Sequence, residues 1–322
     1  YFGNEFHSDY LPLNDYIVKF IKDLKTGKRL TQAGMMYKHS SIKNYEAFKV
    51  QFDGYQKDQG QSLDYHDIDF HFYNSFIGFF VEKNYSANTI GRQIKHLKTL
   101  MRASREDEHH DNREVDKKKF QIIKVATAAI YLNEGEIRKI YEKDFSEHPS
   151  LSQARDLFLM GCYTAQRYSD YSRFTSDHIT KLDSGLRVLI IHQEKTGAKV
   201  VIPIKAELEV LLKRNNYQSP KMSQQKLNEL METVGEKVGI TELVEQVAHK
   251  GGKVITEMIP KNKLIKSHTA RRTGCTNMFL AGVPTLSIMK ISGHKSEKVF
   301  LNYIKVSEEE TADNLGELGW FK

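Results

Sequence analysis

Between Lys263 and Tyr303 the chain reads KLIKSHTARRTGCTNMFLAGVPTLSIMKISGHKSEKVFLNY, and its punctuation leaves little choice of local structure. A helix that begins near Ser267 runs to about Ala281, because Gly282 supplies a C-cap and Pro284 suits the opening of a second helix. Gly293 ends that second helix just before His294. On the first helix His268 and Arg271 are three residues apart, so both side chains leave one face of the first turn. Tyr303 follows His294 by nine residues.

These residue types suit phosphodiester chemistry without a metal. A tyrosine hydroxyl can attack phosphorus, arginines can hold the non-bridging oxygens, and an imidazole can handle protons or hydrogen-bond the phosphate. Taken singly, each has a plainer reading: His268 and Arg271 cap a helix, His294 fills a turn, Tyr303 packs in a core. The order H-x-x-R, then Gly-His, then Tyr resembles the C-terminal signature of the tyrosine recombinases, also called the phage integrase family. Upstream, Arg167 after Thr164-Ala165-Gln166 resembles the family's T-G-x-R-x-x-E/D element, with Ala165 where Gly is usual and Asp170 as the acid. Without the family, a buried Arg167–Asp170 ion pair is the competing reading. Lys195 stands in the turn Glu194-Lys195-Thr196-Gly197, where the family places its catalytic lysine. A turn lysine is otherwise a solvated charge, and Lys199 is the fallback.

The resemblance implies a site-specific DNA recombinase that cuts and rejoins DNA through a covalent 3′-phosphotyrosine on Tyr303. Arg167 and Arg271 are then the phosphate clamp, oriented on one side by Asp170. His268 assists proton transfer from the tyrosine, His294 hydrogen-bonds the phosphate, and Lys195 protonates the leaving 5′ oxygen. Arg272 is adjacent to Arg271, but the helical spacing from His268 favours Arg271. No metal and no cofactor is implied. The expected partners are double-stranded DNA at specific core sites, a homotetramer on that DNA, and accessory DNA-bending or directionality factors. Integration and excision of a mobile element is the expected use. The rivals are a type IB topoisomerase-like enzyme and a catalytically silent architectural protein.

The implied fold is mainly α with a small β-sheet in the second domain: a helical core-binding domain over residues 1–110, a charged linker over 111–125, and a mixed α/β catalytic domain over 126–322. The residues agree. Apolar stripes predict helices over Pro12–Leu24, over Ile42–Tyr55 behind a cap at Ser40 or Ser41, over Phe72–Phe80 behind Asp67 or Asp69, and over Thr89–Ser104. The aromatic third helix reads as core packing before it reads as a base-stacking platform. On the fourth helix Arg92, Lys95, Lys98, Arg102 and Arg105 gather opposite the apolar side. A solvated face is the plain reading; beside the downstream chemistry, contacts to the DNA backbone are expected. EDEHHDNREVDKKK, beginning at Glu106, carries no apolar period and reads as a hydrated connection between domains. The adjacent His109 and His110 lack partners at metal-ligand spacing.

In the second domain, Asn133 and Glu136 form a capping box. LRVLIIHQEKTGAKVVIPI predicts a hairpin, Ala206–Lys213 and Ser223–Val238 read as helices, and HKGGKVITEMIP as a short strand pair. At 322 residues the chain suits two cores, and a formal charge of +7 favours a polyanionic partner only modestly. Cys162 and Cys275 lie among apolar helical residues and read as reduced core thiols of a bacterial, cytoplasmic, nucleoid-associated protein. No apolar run is long enough for a bilayer, so no membrane role is expected. The opening YFGNEFHSDY has no Met and reads as a fragment boundary, with an arm-binding segment expected before it. After Lys305 an acidic helical segment leads to Trp320-Phe321, an apolar tip expected to dock on its own protomer or a neighbour.

Overall fold

The computed structural model describes residues 10–126 and 128–306, together with positions 312 and 316. The opening nine residues and, apart from those two positions, the acidic C-terminal segment with its Trp320-Phe321 tip lie outside the described residues. The fold is mainly helical with small sheets. It divides into two compact units, one comprising Tyr1–Thr127 with Val247–Thr256, the other Ala128–Gln246 with Glu257–Lys322. Among the described residues no helix is long and apolar enough to cross a membrane.

The first unit is built on four helices, α1 (Leu13–Thr26), α2 (His39–Gln59), α3 (Phe70–Glu82) and α4 (Ala87–Glu106). Their apolar stripes meet in one aromatic core that includes Tyr16, Phe20, Phe48, Phe52, Phe76, Phe80 and Leu97. Edge-to-face pairs such as Phe52 with Phe76, at 6.1 Å between centroids, fix its geometry. Asp69 caps α3 by accepting from the Phe72 amide at 2.8 Å, and Ser86 caps α4. The expected cap of α2 is displaced: Lys38 takes the N-cap position, which leaves Ser40 and Ser41 inside the first turn.

The segment 111–125 is not a hydrated linker. It folds back onto the helices, with Val115 and Phe120 buried in the same core. Asn112 donates to the carbonyls of Tyr65 (2.6 Å) and Ile68 (3.1 Å), and Asn88 exchanges two hydrogen bonds with the backbone of Val125 (2.9 and 3.0 Å). This return also occupies much of the basic face of α4. Lys98 is buried and donates to the Phe120 carbonyl at 2.6 Å; Arg102 and Arg105 both bind Asp116, at 2.7 and 2.8 Å. Burial and the neighbouring Arg102 hold the Lys98 ammonium below its usual pKa. Lys98, Arg102 and Arg105 therefore hold the unit together. Of the five cations expected to meet DNA, only Arg92 and Lys95 are exposed without such a partner among the described residues.

The second unit wraps around α6 (Pro149–Thr164), whose buried side chains share one core with α5 (Glu134–Glu142), α8 (Ala206–Arg214) and α9 (Gln224–Lys237). The capping box of α5 is present, Asn133 and Glu136 each accepting from the other's amide at 2.9 and 2.8 Å. Strands β1 (Ile179–Lys181), β2 (Arg187–His192) and β3 (Lys199–Pro203) form an antiparallel sheet in that order. The alternation of β2 and β3 turns Leu189, Ile191, Val200 and Ile202 into the core, with Leu189 opposite Ile202 and Ile191 opposite Val200. The three-residue β1 was too short for the sequence pattern to reveal. A two-stranded sheet of β4 (Leu243–Lys250) and β5 (Lys253–Pro260) follows, longer than expected. The stretch read first forms α10 (Ser267–Leu280), α11 (Thr285–Ser292) and a short α12 (Glu297–Leu301), after which comes Tyr303. α7 (Tyr168–Tyr171) is a single turn after Arg167.

Gly91 makes the return of 111–125 possible. A Cβ there would lie 1.8 Å from the carbonyl oxygen of Ile123, so backbone crosses backbone at this point. Gly91→Ala improves helix propensity yet is expected to destabilise the chain by about 1–3 kcal/mol, as overpacking does. Chemical denaturation checks this; a variant as stable as the parent would show that segment 120–126 can move aside without cost.

Candidate active site

Six of the side chains expected in the site come from five places in the second unit. Arg271 is the most constrained of them: the side chain is fully buried, although it projects from the first turns of α10. Its Nη1 donates to the Ala165 carbonyl at 2.8 Å and its Nη2 to His294 Nε2 at 2.9 Å, while its Nε has no partner. Arg272 turns the other way, donating to the Ile130 carbonyl at 2.9 Å and to Thr269. The helical argument that chose Arg271 agrees with that placement.

Ala165 accepts this bond because it ends α6 in the left-handed conformation, at φ 53°. A methyl group takes the position where glycine is the less strained choice, and the turn forms nonetheless. Two residues on, Arg167 lies at the N-cap of α7 and donates to Gln193 Oε1 at 3.1 Å. Among the described residues no carboxylate forms an ion pair with either Arg167 or Arg271. Two guanidinium groups, one of them wholly buried, thus have no ion-pair partner among the described residues.

Asp170 does not orient Arg167 by a direct bond. Its Oδ1 accepts from the Glu194 backbone amide at 2.8 Å, and Arg173 approaches the same oxygen at 3.7 Å. The physical reason is the geometry of α7: one turn past Arg167, the buried carboxylate faces the β2–β3 turn. That turn carries Lys195, which is exposed, and it closes through hydrogen bonds between Gln193 and both Gly197 (2.8 Å) and Ala198 (2.9 Å).

Tyr303 Oη lies 3.1 Å from His268 Nε2, and the two rings meet edge to face. Arg271 sits over the tyrosine ring at 5.3 Å, and the His294 ring centroid is 4.6 Å away. The Tyr303 segment is anchored from α10: the Thr276 hydroxyl donates to the Tyr303 carbonyl at 3.1 Å and accepts from the Lys305 amide at 3.2 Å. Phe300, Ile288 and Cys275 form the small apolar cluster on which Tyr303 rests. The first turn of α10 is fixed from α9, where Gln224, Asn228 and Glu232 follow at intervals of four. Gln224 donates to Ser267 Oγ at 2.7 Å, Asn228 accepts from the Ser267 amide at 2.7 Å, and Glu232 binds Lys266.

The cations set the state of both histidines. Burial, then Arg272, Arg271, Arg167 and Lys195, pull the His268 pKa down to about 4, although part of its ring is open to solvent. Burial, then Arg271 and Arg167, bring His294 to about 3. Both rings are therefore neutral at pH 7. His294 accepts from Arg271 at Nε2, so its Nδ1 carries the proton and donates to Ser292 Oγ at 2.8 Å. His268 Nε2, next to the phenol, is the nitrogen able to accept a proton from it.

Two family models match the chain, one described as the phage integrase family over residues 131–310, the other as a phage integrase SAM-like domain over residues 12–122. The chain belongs to the phage integrase family. It is a tyrosine recombinase, an enzyme of site-specific DNA recombination. No curated protein matches it in sequence. Among solved structures, the recombinase resembles a lambda integrase dimer bound to a COC′ core site, at 15% identity and a TM-score of 0.68 over 92% of this chain and 96% of that one. It also resembles a lambda integrase tetramer bound to a Holliday junction (16%, 0.63, 92% and 78%). A third is the Tn1549 transposon integrase in complex with a circular intermediate DNA (16%, 0.64, 96% and 100%). At these identities the likeness is one of fold.

Of the residues expected in the site, Arg167, Lys195, His268, Arg271, His294 and Tyr303 lie on elements that converge here, with Asp170 behind the Lys195 turn. Sequence reading missed Gln166, Gln193 and Thr276. Each is a buried polar residue, and nothing beside it in the sequence says what it bonds.

The neutral histidines carry a consequence for stability. In the unfolded chain each takes up a proton near pH ~6.5, whereas in the folded recombinase His268 and His294 resist protonation down to about 4 and 3. Between these values the unfolded state binds more protons, so stability is lost as pH falls from 7 towards 4. His96, also held near 4 by burial, adds to the effect. The melting temperature is expected to drop over this range and to drop less for His294→Asn; a melting temperature flat with pH would contradict the assignment of neutral rings.

Proposed function

We propose that this recombinase cuts DNA with Tyr303 and stores the bond as a 3′-phosphotyrosine, and that it integrates and excises a mobile element. The observation that carries the chemistry is the 3.1 Å contact between Tyr303 Oη and a neutral His268 Nε2, beside two guanidinium groups with no ion-pair partner among the described residues. In this reading Tyr303 Oη attacks the scissile phosphorus as its proton passes to His268. The new P–O bond forms as the P–O5′ bond breaks, and Lys195 gives the departing 5′ oxygen its proton. Arg167 and Arg271 hold the non-bridging oxygens, a role in which a positioned arginine contributes on the order of 10³-fold or more. His294, with Nε2 accepting from Arg271 and Nδ1–H given to Ser292, has no N–H left for the phosphate and acts by holding that guanidinium in place. The 5′-hydroxyl of a second strand then displaces the tyrosine by the reverse step, which conserves bond energy and needs no nucleotide cofactor.

The partner in this reading is duplex DNA with specific core sites, joined by four protomers on two duplexes and by accessory DNA-bending or directionality factors in the bacterial cytoplasm. The fold shared with a lambda integrase tetramer on a Holliday junction supports the assembly, and the fold shared with a transposon integrase on a circular intermediate supports the mobile-element use. A helical domain ending near residue 127, followed by a catalytic domain, is the division proposed for the clamp. Arg92 and Lys95 are the α4 cations left to meet the DNA backbone.

Nicked suicide substrates made from the DNA flanking the gene test this reading. The parent protein is expected to give a slow-migrating covalent adduct on a denaturing gel and Tyr303→Phe none, with His268→Ala slower by roughly 10²–10⁴-fold. Tight binding without adduct from either protein would favour an architectural role, and adduct without strand exchange a topoisomerase-like one.

A further inference from the structure

Gln193 is a buried amide two residues before Lys195, and all of its hydrogen-bonding capacity is used at the active site. Its Oε1 accepts from Arg167 Nη1 at 3.1 Å and from Thr196 Oγ1 at 2.9 Å; its Nε2 donates to Gln166 Oε1 at 2.7 Å and to the Ser292 carbonyl at 2.8 Å. Gln166, immediately before Arg167, donates in turn to the carbonyls of Thr164 (2.9 Å) and Ile291 (2.8 Å). Neither amide can be flipped without setting donor against donor, so the pair has one arrangement. Together the two glutamines satisfy the carbonyls of Ile291 and Ser292 at the C-terminus of α11, which otherwise lack helical partners.

Those four bonds reach three separate segments. One carries Arg167, one is the turn that carries Lys195, and one is the end of α11 that leads into His294. Gly293 allows the approach: it takes φ 71°, and a Cβ there would lie 2.4 Å from Gln193 Oε1. A side chain at 293 would push the amide away from Arg167.

We propose that Gln193 is a positioning residue that sets Arg167 and the Lys195 turn in register with each other and with His294, so that clamp and general acid are assembled as one unit. The inference rests on the phosphotyrosine reading above. Gln193 touches neither the reacting atoms nor DNA in this role; it acts through the residues it holds. The geometry separates it from Asp170, which fixes the same turn only through the Glu194 amide.

The test uses Gln193→Met, close in shape and unable to make the four bonds, in single-turnover adduct formation at saturating protein. The expected result is unchanged DNA affinity with adduct formation slowed on the order of 10²-fold, the scale of an ångström-sized misplacement. A second substrate, with sulfur in place of the bridging 5′ oxygen at the scissile phosphate, departs as a thiolate and needs no general acid. It is expected to restore part of the loss in Gln193→Met, as it restores Lys195→Ala, and to leave the Arg167 share. Equal slowing on both substrates, or a rate equal to the parent's, would overturn the proposal. If Gln193→Met does not fold, Thr196→Val decides: in an exposed turn residue it removes the bond to Gln193 and a long one of 3.4 Å from the Ala198 amide, and a smaller loss with the same sulfur rescue is expected, while no loss overturns the proposal. Absence of any Tyr303 adduct from the parent protein would instead sink the phosphotyrosine reading itself.

Discussion

Much of this structure depends on burying the Arg271 guanidinium. A buried charge is costly unless it is paired and hydrogen-bonded, and the described residues give it hydrogen bonds without an ion pair: a carbonyl, an imidazole nitrogen, and nothing for Nε. Burial and Arg167 weaken its hold on the proton, yet a guanidinium stays charged in proteins. The left-handed Ala165 exists in this arrangement to aim its carbonyl at Arg271. The Ser292–His294 chain of hydrogen bonds exists to present a lone pair and not a proton. Without an ion pair among the described residues, the positive field of this guanidinium suits an anion from outside.

Helix α10 is the beam that carries this field. Its first turn bears His268 and Arg271, and its third receives the Tyr303 segment through Thr276. Both attachments are polar and directional. The ladder Gln224, Asn228, Glu232 fixes where the helix begins, and the Thr276 hydroxyl fixes where Tyr303 lies along it. Apolar packing under α11 and α12 gives affinity between the elements, but it does not choose a register; hydrogen bonds of defined length do. Tyr303 is held by a short helix, one hydroxyl and a small apolar cluster, a lighter attachment than the one that holds Arg271.

What could be read in the sequence was local. The periods of α1, α3, α4 and α10, the caps at Asp69 and Asn133, the left-handed stops at Gly282 and Gly293, and the β2–β3 hairpin follow from residues within a few positions of one another. The spacing of His268 and Arg271 belongs to the same class, since one helical turn sets it. What the sequence hid was return. Lys98, Arg102 and Arg105 look like an open basic face until 111–125 comes back with the Phe120 carbonyl and Asp116, and nothing near α4 in sequence announces that. Within 111–125 itself, Val115 and Phe120 are two apolar residues in a charged run, too sparse to show a period, yet both are buried. Asp170 was legible beside the right motif and Gln193 was not; apart from Arg173 and Thr196, three residues away, their partners lie 24 to 99 residues off in sequence, so only the folded chain reveals them.

The cations proposed to clamp a phosphate also act, together with burial, on the base proposed to start the chemistry. His268 is held near 4 by burial and by four positive neighbours, so in the free protein its ring is a poor proton acceptor even though it is neutral and in contact with the phenol. An anion placed among Arg167, Arg271 and Lys195 cancels part of that positive potential, and its own charge favours the protonated ring. Binding a phosphate and binding a proton at His268 are therefore coupled with the same sign, and the coupling is reciprocal: whatever raises the proton affinity of the ring also tightens the hold on the anion. A site of this kind keeps its base weak in the absence of an anion. In the proposed reaction that base strengthens when the phosphodiester fills the space beside Arg167 and Arg271.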